Sequence, residues 1–273
     1  MAGKRAVFFI SDRTGITAET LGHSLLTQFN DEFDHITLPF TDSPERADQA
    51  VRRVEEANRV NGLRSIVFST VIAPEIRERL QHVDALVFDF FDTFIAPMEQ
   101  ELGERSSHTI GRSHGMIDNQ RYDVRIDAMN YALSHDDGAV VRHYDQADVI
   151  LVGVSRSGKT PTCIYLALQY GIYAANYPLT EEDLLGGRLP SIIRPHRRKL
   201  YALTIRPDRL SRIRSERRPD SRYASLRQCQ YEVARAEGLF EREKLPMADT
   251  TAMSIEEIAT TIIHNRQLRR RLY

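Results

Sequence analysis

The sequence predicts an α/β protein built from two successive parallel α/β domains, over residues 1–145 and 146–273. Three observations carry this expectation. Short apolar, β-branched runs alternate with helical stretches from residue 6 to about 88, the pattern of a parallel sheet covered by helices. A Gly-rich loop then stands between a buried-looking strand and a helix. That helix leads into a further strand, so the unit reads as a right-handed crossover.

Taken in order, residues 6–10 form the first strand. Ser11, Asp12, Arg13, Thr14 and Gly15 form a turn whose hydroxyls and helix N-terminus suit either a cap or an anion. Residues 17–29 form a helix with Leu21, Leu25 and Phe29 as its apolar stripe. Residues 35–40 are a strand. Ser43 before Pro44 opens a charged helix that Asn61-Gly62 stops. A third strand at 66–69, a helix at 74–81 and a fourth strand at 85–88 follow. Asp89 ends that strand as a magnesium-holding Asp ends strands in many phosphoryl-transfer enzymes, but it precedes the Gly-rich loop, and an ordinary strand end is the simpler reading.

Residues 91–145 are less regular. A polar loop at 106–115 holds His108 and His114 without the third ligand that a metal requires, so it reads as a structural or phosphate-contacting loop. A helix at 124–134 ends at His135-Asp136-Asp137-Gly138, a turn that suits a domain boundary.

Residues 148–152 form the strand that leads into Gly153, Val154, Ser155, Arg156, Ser157, Gly158, Lys159 and Thr160, an instance of G-x-x-x-x-G-K-[ST]. The second domain is therefore expected to be P-loop kinase-like. Backbone N–H groups would converge on a diphosphate, Lys159 would reach the transferred phosphate, and the Thr160 hydroxyl would ligate Mg²⁺. Strands at 172–177 and 199–205 follow, with Thr180 to Asp183 as a capping-box-like helix start. A general base is not singled out. Asp183 and Asp249 are the candidates.

Residues 194–218 carry ten Lys/Arg against two acids, so with a total charge of −1 the rest of the chain stands near −9. The segment reads as a solvated helix face, a nucleic-acid patch or an arginine-rich flap over phosphates. No nucleic-acid motif accompanies it, so nucleic acid is not the expected partner. A helix at 223–239 and a short strand at 246–249 lead to the capping box Ser254/Glu257. The last helix would bury Ile255, Ile258, Ala259 and Ile262, and Arg269-Arg270-Arg271 would fray into solvent. Two cysteines and no long apolar run point to a cytoplasmic protein with no membrane association.

Several stretches resemble one family. They are Ile10-Ser11-Asp12 with Thr14-Gly15-Ile16-Thr17-Ala18-Glu19, His135-Asp136-Asp137-Gly138, residues 153–162, and Ala174-Ala175-Asn176-Tyr177-Pro178. Residues 221–229 and Glu256-Glu257-Ile258-Ala259 also match. Together they resemble the phosphoenolpyruvate synthase regulatory proteins, relatives of the pyruvate, phosphate dikinase regulatory proteins, over nearly the whole chain. The family pattern has Gly where this chain has Arg13. The resemblance implies a bifunctional enzyme. One activity uses ADP to phosphorylate a threonine on phosphoenolpyruvate synthase and inactivate it. The other uses inorganic phosphate to remove that group and releases pyrophosphate. One loop serving both makes chemical sense, because ADP and pyrophosphate present the same diphosphate. The residues alone leave a P-loop small-molecule kinase as the alternative, and a homodimer is left open.

Overall fold

The computed structural model describes residues 4–107 and 119–272. The chain divides into two compact units, residues 1–115 and 116–273. The expected boundary after residue 145 lies 30 residues further along than this division.

In the first unit β1 (Arg5–Ser11), β2 (Phe33–Leu38), β3 (Ser65–Thr70) and β4 (Ala85–Asp89) make one parallel sheet in the order β2-β1-β3-β4. Helix α1 (Ile16–Leu26) does not dock on the expected stripe. Leu21, Leu25 and Phe29 are exposed, and the buried face is Ala18, Gly22 and Leu26. Gly22 explains the choice. A Cβ there would stand 2.6 Å from the rings of both Phe9 and Phe68, so the missing side chain lets the helix lie directly on the aromatic layer. Gly22→Ala is therefore expected to lower stability by about 1–3 kcal/mol, despite a helix-propensity gain of about 1 kcal/mol. Thermal melting checks the sign.

Ser43 caps α2 (Pro44–Asn61) by accepting from Arg46 N–H at 3.3 Å, and Gly62 ends it at φ 65°. Helix α3 (Pro74–Gln81) lies where it was expected. Helix α4 (Phe90–Leu102) lies where the sequence reads as less regular, and it carries Pro97 inside it. Burial of Phe90 and the Asp89 cap, which accepts from Asp92 N–H at 3.0 Å, accompany it. Asp89 is spent on that cap and on Arg77 at 2.8 Å. Gly15, at φ 82°, opens α1, while Arg13 is not among the positive-φ residues. Where the family has Gly, this position makes no left-handed demand.

In the second unit α5 (Asn119–Ser134) packs on α6 (Lys159–Tyr170), which is why it groups with the second sheet and not with the first. That sheet has β5 (Val149–Gly153), β6 (Ala174–Pro178), β7 (Leu200–Thr204) and β8 (Met247–Asp249), all parallel, in the order β6-β5-β7-β8. Both sheets thus place their first strand between the second and third, and both follow it with a helix opened by a left-handed glycine, Gly15 or Gly158 at φ 91°. One face of the second sheet carries α7 (Glu181–Gly186), α8 (Pro207–Arg217) and α9 (Leu226–Arg242), and its core includes Ile150, Val152, Ala202, Leu210 and Phe240. The other face carries α5, α6 and α10 (Ile255–Arg266) over Leu151, Tyr201 and Leu203. In α10 the buried stripe is Ile258, Ala259, Ile262 and Ile263, and Ile255 is exposed.

Of the three C-terminal arginines expected to fray, Arg270 and Arg271 are held against the protein. Arg271 donates from Nη1 to Gly171 O at 3.1 Å and from Nη2 to Asp148 at 2.9 Å, and its guanidinium lies 4.4 Å over the Tyr173 ring. Arg270 covers Tyr170 at 4.9 Å. Among the described residues, no helix is long and apolar enough to cross a membrane.

Candidate functional site

Strand β5 has β6 on one side and β7 on the other, so the chain order reverses at its carboxyl end, where open α/β sheets bind ligands. The 153–160 loop leaves the strand there. A Cβ on Gly153 would meet Leu203 O at 2.4 Å and Ser157 Oγ at 2.8 Å, so the first position of the motif admits no side chain. Arg156 holds φ 72° and Gly158 φ 91°, which turns the loop into the first turn of α6.

Lys159 folds back into the loop. Its Nζ donates to Val154 O at 2.8 Å, and the residue is only 4 % exposed. Burial pulls its pKa from 10.5 down to about 8, with the Asp137 and Asp136 carboxylates opposing that shift. Ser157 Oγ is buried without a hydrogen-bond partner. Ser157 O accepts from Thr250 Oγ1 at 3.2 Å, so the segment after β8 supports the loop from below.

The Thr160 hydroxyl does not stand alone. It donates to Asp136 Oδ1 at 2.7 Å. Asn176, fully buried on β6, donates from Nδ2 to the same oxygen and accepts from Asp137 N–H at 2.9 Å. His135 fixes the turn behind them. Its two ring nitrogens lie 2.8 Å from Tyr131 O and 2.8 Å from Arg142 O, and its ring stacks on Tyr131 at 4.0 Å. The turn at 135–138 is thus part of the loop's surroundings. Asp136 is the residue that sequence reasoning missed. A magnesium-holding Asp usually follows the loop, whereas this one arrives from upstream, and the sequence marks it only as part of the 135–138 turn and motif.

Asp183 and Asp249, the two candidate bases, both have local duties. Asp183 closes the α7 capping box, accepting from Thr180 N–H at 3.0 Å and from the Tyr177 hydroxyl at 3.2 Å. Burial and the Asp183 carboxylate raise the Tyr177 pKa to about 12, so it remains a donor. Asp249 ends β8 and accepts from Thr251 N–H at 2.9 Å. Neither acid has a hydrogen bond to residues 153–160 among the described contacts.

Among the described contacts, five of the ten basic side chains of the 194–218 segment have protein partners, and Arg194 is one, donating to Leu189 O at 2.9 Å. Arg197 is tied to Glu243, Lys199 to Asp145 O, and Arg206 to Asp208 at 3.0 Å. Arg214 is fully buried. His108 and His114 lie outside the described residues. Among those described, no three His, Cys, Asp or Glu side chains gather closely enough to hold a metal ion by themselves.

The kinase/pyrophosphorylase family model matches residues 7–263. The chain belongs to that family. It is 67 % identical over 270 residues to a protein of Alkalilimnicola ehrlichii, covering 99 % of this chain and 98 % of that one. It is 62 % identical to a protein of Halorhodospira halophila, covering the whole of both. A protein of Hahella chejuensis is 55 % identical over 261 residues, 95 % of this chain and 96 % of that one. All three relatives carry the name "Putative phosphoenolpyruvate synthase regulatory protein". As a member of the kinase/pyrophosphorylase family, the chain is a transferase, and the resemblance read from its motifs holds along its length.

Proposed function

We propose that this protein phosphorylates a threonine of phosphoenolpyruvate synthase with ADP as donor, and removes that phosphoryl group with inorganic phosphate, releasing pyrophosphate. The observation that carries the reading is the joint placement of buried Lys159 inside the 153–160 loop and Asp136 on the Thr160 hydroxyl. The names of the relatives support the target, and the family description supports the pair of activities.

The loop amides and the N-terminus of α6 would hold the α- and β-phosphates of ADP. Lys159 would leave Val154 O for the transferred β-phosphoryl, and the exposed Arg156 side chain would add positive charge. In one direction the β-phosphorus bond to the AMP oxygen breaks and a bond to the threonine oxygen forms. In the other, a phosphate placed where the α-phosphate was takes the group from threonine and leaves as pyrophosphate. Both transfers require positioning and charge neutralisation. Thr160 and Asp136 fit Mg²⁺, a hard cation that takes few protein oxygens and completes its shell with phosphate oxygens and water. Bound there, Mg²⁺ would neutralise charge on the phosphates. Asp136 is a further candidate for the base beside Asp183 and Asp249. Two reduced, buried cysteines accord with a cytoplasmic setting.

Nucleotide choice follows from depth. A loop that transfers from ADP holds the α- and β-phosphates with the acceptor beyond them, so the γ-phosphate of ATP would occupy the acceptor's place. Incubation with the synthase and either ADP or ADP-free ATP, followed by phosphothreonine detection, is expected to give product with ADP and inhibition with ATP. Equal rates would reject this account, and transfer from ATP to a free metabolite would favour a small-molecule kinase.

A further inference from the structure

Arg214 is expected from sequence to belong to a solvated or phosphate-covering basic face, yet it is the largest fully buried side chain described. Its Nη2 donates to Ser155 O in the loop at 3.1 Å and to Glu232 Oε2 on α9 at 2.6 Å. Its Nη1 donates to Tyr223 O at 3.1 Å, and the guanidinium lies 4.2 Å over the Tyr223 ring. The Tyr223 hydroxyl in turn meets Ser155 Oγ at 2.9 Å. Glu232 is oriented by Gln228, which donates to its other oxygen at 3.0 Å. One guanidinium therefore joins α8, the turn at 222–224 and α9 to one peptide group of the loop.

That peptide group precedes Arg156, whose φ of 72° is a region non-glycine residues occupy only when their surroundings hold them there. In a trans peptide the carbonyl and the following N–H point in opposite directions. Pulling Ser155 C=O toward Arg214 thus turns the Arg156 N–H the other way. We propose that Arg214, braced by Glu232 and Tyr223, is a positioning residue that presents the Arg156 amide to the diphosphate. The inference rests on the reading of the loop as a diphosphate cage. It makes Arg214 a part of the phosphate site that never touches phosphate. A lysine cannot replace it, because a single ammonium lacks the planar fork that reaches three acceptors at once.

The test uses the ¹⁵N-labelled full chain, Mg²⁺ and pyrophosphate. Calorimetry gives affinity, and amide resonances of residues 153–160 report the cage group by group. Arg214→Lys is expected to weaken pyrophosphate binding about thirtyfold, as expected for loss of a buried charge-assisted hydrogen bond. The ligand-induced shift of the Arg156 amide should vanish while that of Gly158 persists. Glu232→Gln keeps the shape of the brace and should weaken binding about fivefold with the same selective loss at Arg156; it decides the matter if Arg214→Lys does not fold. Wild-type affinity and a wild-type Arg156 shift in a folded variant would overturn the proposal. So would a uniform fading of all the loop shifts, which marks a packing role only. Wild-type protein that binds no pyrophosphate would overturn the cage reading, and this inference with it.

Discussion

Lys159→Met is expected to reduce both proposed reactions, the ADP-dependent and the phosphate-dependent one, by about a thousandfold, the scale of losing one preorganised charge at a developing anion. Methionine keeps the stem that packs in the loop and removes the ammonium. The variant should fold at least as well as the wild type, because the empty protein carries the cost of burying this charge. With the pKa drawn from 10.5 to about 8, that cost is on the order of 3 kcal/mol. The sign follows from proton counting. Between about pH 8 and 10.5 the unfolded chain still binds the proton that the folded, empty protein has lost, so this lysine makes stability rise with pH there. Below about pH 8 both states hold the proton, and the full penalty stands. Melting curves at pH 7 and pH 9.5 should show the rise in the wild type and its loss in Lys159→Met. Ligand affinity should run the opposite way. A diphosphate demands the ammonium, so binding takes up a proton above about pH 8 and weakens as pH rises further. Wild-type turnover in either direction by Lys159→Met would reject a single loop serving both reactions.

Asp136→Asn is expected to lower both rates about a hundredfold, while the fold survives. The amide oxygen can still accept from Thr160 and Asn176, so the hydrogen-bonded triangle keeps its shape and loses only its charge. The selective consequence is a weaker dependence on divalent cation. Mn²⁺ bound in the presence of pyrophosphate, followed by electron paramagnetic resonance, should decline with the rates. Asp136→Ala differs in kind. It leaves the buried Asn176 Nδ2 without this acceptor and should cost about 1–3 kcal/mol of stability as well. If Asp136→Asn retains wild-type rates and wild-type Mn²⁺ binding, the residue is a strut for the turn at 135–138.

Gly153, Gly158, Lys159 and Thr160 were legible in the sequence because their spacing states a local geometry: a tight exit from a strand, a left-handed entry to a helix, and a lysine and hydroxyl on its first turn. The strands, most of the helices and the caps at Ser43, Thr180 and Ser254 were legible for the same reason, since period, capping and punctuation act within a few residues. Helix α1 shows where that reasoning stops. Its apolar period was real, but Gly22 offered a closer approach to Phe9 and Phe68, and the closer face won. Asp136 and Arg214 were misread because their roles depend on partners 24 and 59 residues away. The sequence by itself determined the parallel α/β architecture, the Gly-Lys-Thr loop and the family. Tertiary structure alone decided which acid meets the loop's hydroxyl and which arginine is buried beneath its backbone. Both depend on where β6, α8 and α9 bring their side chains, and no local pattern encodes that distance.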